Sequence, residues 1–166
     1  MSIPFNTIKI EKNRISGVPV NLATSFNSGD MMKWDPVNLV ATPIVAGDAA
    51  SGAAAALFIG ISQDTNPIPS LNQVLPEPRI NIVNRGIAAL VADDNATYNA
   101  GDSVTFGADP QKIRHTSSSG GAVIGVVAPE NFFGVTSGAS VGIVAVQGVT
   151  TILVALRPQF TSLGTL

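Results

Sequence analysis

Gly29–Asp35 reads GDMMKWD, and Gly101–Pro110 reads GDSVTFGADP. One short phrase opens both stretches, in a chain whose composition is otherwise not repetitive. Three origins fit such an echo: a binding motif, the remnant of an attachment site, or the turn and strand of a duplicated unit. The residues around the two copies decide among them.

After the two aspartates, Met32 and Trp34 match Val104 and Phe106 at steps of two. Downstream, Phe58–Ser62 (FIGIS) matches Val123–Val127 (VIGVV), with Gly60 and Gly125 in the same place. Upstream, Asn13–Gly17 (NRISG) echoes Asn84–Gly86 (NRG). Val18, Val20 and Leu22 then echo Ile87, Ala89 and Val91, and Ile8 and Ile10 echo Ile80 and Ile82. The echoes keep their order while the loops between them change length. A duplicated supersecondary unit reads this way, because the core constrains pleat parity and surface loops drift. Gly-Asp then serves as a strand-opening turn: Gly accepts positive φ, and the carboxylate accepts from nearby backbone N–H groups.

Short Val/Ile/Thr/Ala runs bounded by Gly, Pro, Asn and Asp predict an all-β chain. Strands are expected near Asn6–Ile10, Val18–Ala23, Asp30–Trp34, Val37–Pro43, Leu57–Ser62, Ile80–Asn84, Ile87–Ala92, Ser103–Phe106, Ile113–Thr116, Ala122–Val127, Gly142–Val146 and Thr151–Leu156. Each half alone is expected to have too few strands to close a core. The expected fold is therefore one β-barrel or β-sandwich spanning residues 13–166. It carries pseudo-repeats at about 13–62 and 80–127, related by an internal pseudo-two-fold. Residues 1–12 form an arm or a first strand. Val45–Phe58 contains an alanine run suited to a short helix, and Asp64–Pro78, with four prolines, suits an extended arm.

Of the 166 residues, 45% are hydrophobic and only 12% charged, against about 25% in ordinary soluble domains. A surface so poor in charge suits a component of an assembly. The net charge of −2 with scattered cations argues against nucleic acid, and the absence of cysteine excludes disulfides and the usual zinc sites. No stretch reads as a signal peptide or a membrane span.

The residues that suggest chemistry each have a plainer reading. Met31–Trp34 resembles the Met-Lys-Met core of biotin carriers, but Lys33 falls inside a predicted strand where that chemistry needs a hairpin tip. His115 stands near Ser117, Ser118 and Ser119, yet close sequence neighbours rarely point at one another and triads draw on distant segments. Asp93, Asp94, Asn95 and Asp102 are oxygen ligands of the kind calcium takes, without the spacing or bidentate Glu of an EF-hand. Asn95-Ala96-Thr97 fits a glycosylation sequon but lies in a chain without a secretion signal. A sugar-binding or sugar-cleaving domain would need exposed aromatics beside carboxylates, and Trp34 is expected to point inward. No catalytic, cofactor or metal residue is assigned.

The runs SGDMMKWDPVNLVATPI, ALFIGISQDTNP, YNAGDSVTFGADPQKIRHTSSSGGAVIGVVAPE and ILVALRPQF together resemble the capsid decoration, or cement, proteins of tailed bacteriophages. The resemblance covers most of the chain from Gly17 to Arg157. It implies a non-enzymatic virion protein, made in the host cytoplasm. Such a protein sits on the outer head surface as a homotrimer or a dimer and locks major capsid protein subunits together. A tail or baseplate protein is the alternative within virions. Contacts to capsid or sister subunits are expected from Ile3, Phe5, Ile8 and Ile10 in the N-terminal stretch, by strand addition. In the proline-rich arm they are expected from Ile68, Leu71, Val74 and Leu75. Neither nucleic acid nor membrane is an expected partner.

Overall fold

The computed structural model describes residues 13–48, 57–66, 78–119, 123–133 and 142–158. The expected strand at Asn6–Ile10, most of the alanine run and residues 67–77 of the proline-rich arm lie outside them. Among the described residues twelve strands follow in order: β1 (Asn13–Pro19), β2 (Met31–Asp35), β3 (Val40–Pro43), β4 (Phe58–Ser62), β5 (Arg79–Arg85), β6 (Ile87–Val91), β7 (Thr97–Tyr98), β8 (Ser103–Phe106), β9 (Ile113–His115), β10 (Gly125–Val127), β11 (Ile143–Val144) and β12 (Thr151–Leu156). Among the described residues, a helical turn at Thr116–Ser119 and a 3-10 turn at Pro129–Phe132 lie between them. The fold is all-β and single-domain.

Two antiparallel five-stranded sheets carry the structure, in the orders β1-β5-β4-β2-β3 and β6-β12-β10-β8-β9, and β7 pairs with β11. Matched strand for strand, the two orders are the same. Each sheet also rolls until its edges touch: Val20 bridges Ala41 in the first, and Ala92 bridges Ile113 in the second, both parallel. Each half thus closes its own small barrel. The expectation that half the chain has too few strands fails because each repeat holds a fifth strand, β5 or β12. The repeats therefore run through Arg85 and through Leu156.

The ladders fix the correspondence. Met32 pairs with Pro43 and Gly60, as Val104 pairs with His115 and Gly125; Trp34 faces Ala41, as Phe106 faces Ile113. The fifth strands align Ile80 with Ile152 and Ile82 with Val154, through equivalent partners on β4 and β10. Ile80 and Ile82 therefore correspond to Ile152 and Val154 of the last strand, while Ile8 and Ile10 lie outside the described residues. Val18 corresponds to Leu90 and not to Ile87, since each pairs with the matching isoleucine of the fifth strand. Counting from the glycines misleads here: Gly17, at φ 73, sits in a register shift of β1, while Gly86 turns the chain between β5 and β6.

The repeated phrase is a turn, and its bonds are the same in both barrels. Asp30 Oδ2 accepts the Asn27 N–H at 2.8 Å, and Asp102 Oδ2 accepts the Asn99 N–H at 2.7 Å. The Gly29 N–H donates to the Ser62 carbonyl and the Ser62 N–H returns to the Asp30 carbonyl. Gly101, Val127 and Asp102 repeat that exchange. Each phrase thus starts one strand and fastens it to its neighbour.

The first barrel packs Val18, Met32, Trp34, Ile59, Ile80 and Ile82 within itself. Its strands are buried on both faces, because Met31, Ile44, Phe58 and Val83 project the other way into the second barrel's core cluster. Phe58 meets Phe106 edge-on at 5.6 Å, and Gln111 of the β8–β9 turn fastens the joint. Its Oε1 accepts the Met31 N–H at 2.6 Å, while Nε2 donates to the Ile44 carbonyl at 2.9 Å and the Met31 carbonyl at 3.3 Å. This joint is not two-fold. A two-fold would pair Trp34, the equivalent of Phe106, with the second barrel, yet Trp34 belongs to the first barrel's own cluster. One barrel offers its outer face and the other offers a turn, so the expected pseudo-two-fold is replaced by a heterologous contact.

The proline-rich segment is anchored at its described ends. Asn66 exchanges backbone bonds with Phe26 and donates its side-chain amide to Asn21 and Thr24 carbonyls, and the Pro78 carbonyl accepts the Val20 N–H. Asp64 Oδ2 accepts from Asn81 N–H at 2.6 Å. The arm therefore does not begin at Asp64.

A Cβ on Gly60 (φ 140) would lie 2.2 Å from the Val83 carbonyl oxygen, whereas one on Gly29 (φ 99) meets nothing within 4 Å. Gly60→Ala is expected to lose roughly 2–4 kcal/mol in urea unfolding, and Gly29→Ala about 1 kcal/mol, the difference reporting the close strand approach. Gln111→Ala is expected to cost about 1–3 kcal/mol by the same measurement, because it strips partners from three backbone groups at the joint.

Candidate functional site

The densest polar chemistry lies at one end of the second barrel, where the end of β6, the β8–β9 turn and the Gln147 turn converge. Asp93 is buried, and its own N–H donates to the Ile113 carbonyl. Its Oδ2 accepts from the Asp109 N–H at 3.0 Å and from Arg114 Nη2 at 3.4 Å, and its Oδ1 accepts from Gln147 Nε2 at 3.3 Å. Asp94 accepts the Tyr98 hydroxyl at 2.6 Å and the His115 N–H at 2.9 Å. Burial pushes the Tyr98 phenol well above its ordinary range, and the Asp94 carboxylate adds to the effect.

His115 links Asp102 to Ser117. Nε2 lies 3.1 Å from Asp102 Oδ2, and Nδ1 lies 2.6 Å from Ser117 Oγ while accepting the Ser117 N–H at 3.1 Å. The sequence expectation that near neighbours do not face one another fails at Ser117, because the chain turns sharply into Thr116–Ser119. With Nδ1 an acceptor, the ring proton belongs on Nε2, pointing at Asp102. The set looks like Asp-His-Ser, yet its parts are engaged in holding the helical turn. The Ser117 N–H, the donor nearest the hydroxyl, is already bound to the imidazole, so it is not free to stabilise an oxyanion. Tyr98 stacks edge-on against the same ring at 5.5 Å.

The candidate calcium loop is likewise committed to internal donors: Asn95 Oδ1 accepts the Gln147 N–H, while the three carboxylates are engaged as described. Among the described residues, no group of three or more His, Cys, Asp or Glu is placed to hold a metal ion. Lys33, the residue of the carrier-like phrase, is bound to Asp48 at 2.6 Å. Trp34 is buried, as the alternation predicted. The first barrel has Asn21, Leu22, Thr42 and Pro43 where the second has Asp93, Asp94, Arg114 and His115, so the barrel itself does not require the network.

Ile3, Phe5, Ile8, Ile10, Ile68, Leu71, Val74 and Leu75 all lie outside the described residues, so the structure brings none of them to a site. It shows instead exposed large apolar side chains, nearly all of them on turns. In the first barrel these are Leu22, Val37, Leu39 and Val45; in the second, Phe133, Val144, Val146 and Val149. Valines in a β-rich chain read as core by default, and only their place in turns separates these from the buried ones. No protein-family model matches the chain, and no curated protein matches it.

Burial works to raise the Asp93 and Asp102 carboxyls. The hydrogen bonds they accept, from Asp109 and Gln147 and from Asn99 and His115, outweigh it and hold both below their ordinary range. A depressed carboxyl stabilises the fold fully above its unfolded pKa and loses that contribution as pH falls through the folded value. Urea unfolding is therefore expected to show stability falling below about pH 4, with a shallower fall in Asp93→Asn and Asp102→Asn. An unchanged pH slope in both variants would contradict the assignment.

Proposed function

We propose that this chain is a structural virion protein that binds the outer surface of a tailed-phage head and holds neighbouring major capsid subunits together. The observation that carries the reading is an apolar turn. Val144, which ends β11, and Val146 and Val149 in the turn that follows are 70%, 57% and 73% exposed. That turn is held in shape, since the Val146 carbonyl accepts the Val149 and Thr150 N–H groups and the Thr150 hydroxyl binds the Val146 N–H. An ordered apolar projection costs hydration in the free protein and is repaid where a partner covers it. The low charge of the chain and its resemblance to decoration proteins support the same reading. Attachment by many such modest contacts, multiplied by capsid symmetry, needs no single conspicuous site.

A carbohydrate-binding domain has less support: Trp34 and Tyr98 are buried, and Phe133 is the one exposed large aromatic among the described residues. A tail or baseplate position would use the same apolar turn on a different partner.

The test is co-sedimentation with expanded heads of the cognate phage that lack this protein. Saturable binding in a ratio set by capsid symmetry, with heads that resist heating, is the expected result; no binding removes the head assignment. Val146→Asp is expected to weaken attachment about tenfold or more while leaving the fold intact, because the residue already faces water.

A further inference from the structure

We propose that the joint between the two barrels is repeated between chains, the β2–β3 turn of one copy docking on the second barrel of the next. Within the chain, Gln111 of the second barrel's β8–β9 turn bonds the backbone of Met31 and Ile44 of the first, and Ile61 and Val83 pack on the second barrel's core cluster from the same face. Because that contact is heterologous, among the described residues neither the first barrel's own turn nor the second barrel's corresponding face takes part in it.

The correspondence is residue by residue. The turns have the same length, six residues between Trp34 and Ala41 and six between Phe106 and Ile113, so Leu39 stands where Gln111 stands and Val37 where Asp109 stands. On the receiving side, Ser103, Thr116, Val126 and Ala155 occupy the places of Met31, Ile44, Ile61 and Val83, and all four are half-buried. No charged side chain is among them.

The free turn is built for contact. Val37 is 85% exposed and Leu39 60%. The turn is ordered before any partner arrives, since Asp35 accepts the N–H groups of Val37 and Asn38 through its side chain and of Leu39 through its carbonyl. Leu39 also has φ 57, the one positive φ among described residues other than glycine. A leucine in the left-handed region is strained, and an exposed one gains no burial in return within the chain. Asn or Gly would suit the turn better. An apolar residue held there at a cost fits a docking knob, and the surface it fits is a second copy of this chain. Heterologous joints of this kind close into rings or run on as open chains.

The inference rests on the joint between the barrels and does not depend on the capsid reading. Sedimentation velocity of the full-length protein, without heads, tests it at concentrations up to about 100 µM, together with Leu39→Gly and Val126→Glu. The wild type is expected to be multimeric. Both variants are expected to associate about tenfold less tightly or worse. Leu39→Gly should keep or raise the melting temperature of the separated subunit, because glycine adopts the turn without strain. Mixing Leu39→Lys with Val126→Glu should restore association, since each altered surface then meets its opposite charge. A wild type that stays monomeric throughout overturns the proposal. So does a multimer that Leu39→Gly and Val126→Glu leave unchanged, which would place the interface elsewhere.

Discussion

The fold depends on a pair of backbone bonds made twice. In each barrel a Gly-Asp turn donates one N–H to the neighbouring strand and accepts one back, at 2.8 and 2.9 Å in the first and at 2.9 and 2.8 Å in the second. This exchange sets which residues of β2 face β4, and of β8 face β10. Register in turn decides every side chain's face, since a slip of one residue would turn Met32 and Trp34, or Val104 and Phe106, out of the core. The chain has no cysteine with which to enforce register by another route. Gly60 and Gly125 complete the arrangement, because each stands where a Cβ would collide with the adjacent strand.

From that shared scaffold the two halves diverge by position. The first barrel is an inner wall: its strands bury Met32, Ile59 and Ile82 on one face and Met31, Phe58 and Val83 on the other. The second keeps a wetter end, where three aspartates, Arg114, His115 and Tyr98 satisfy one another. Such a network is strong when every member has a partner, and here nearly all do; Arg114 Nε is a buried atom left without one. It holds the loops that frame the Val146 turn, so the polar end and the exposed apolar turn are parts of one device. The network supplies order, and the turn supplies surface.

Much of the architecture was legible. Steps of two after Asp30 and Asp102 placed β2 and β8, the FIGIS and VIGVV runs placed β4 and β10, and the inward place of Trp34 followed from the same alternation. The errors have local causes. A bulge at Gly17 and a tight turn at Gly86 look alike in sequence, so matching Val18 to Ile87 was natural and three residues out. The strand β7, two residues long, was too short to show a period. Ser117 was expected to point away from His115, and a single helical turn brought it back.

Which faces of the strands are apolar, where the Gly-Asp turns fall and that one unit occurs twice are properties of neighbouring residues, and the sequence by itself determined them. That each unit closes its own barrel, that the barrels meet face to turn rather than about a two-fold, and that Asp102, His115 and Ser117 come together were decided only in the tertiary structure. The reason is range. Pleat and turn are set by φ, ψ and the next few side chains, whereas closure and docking depend on surfaces whose contributing residues can lie 80 positions apart or more, as Met31 and Gln111 do. A valine destined for the core and a valine left exposed on a turn carry the same letter until that packing is known.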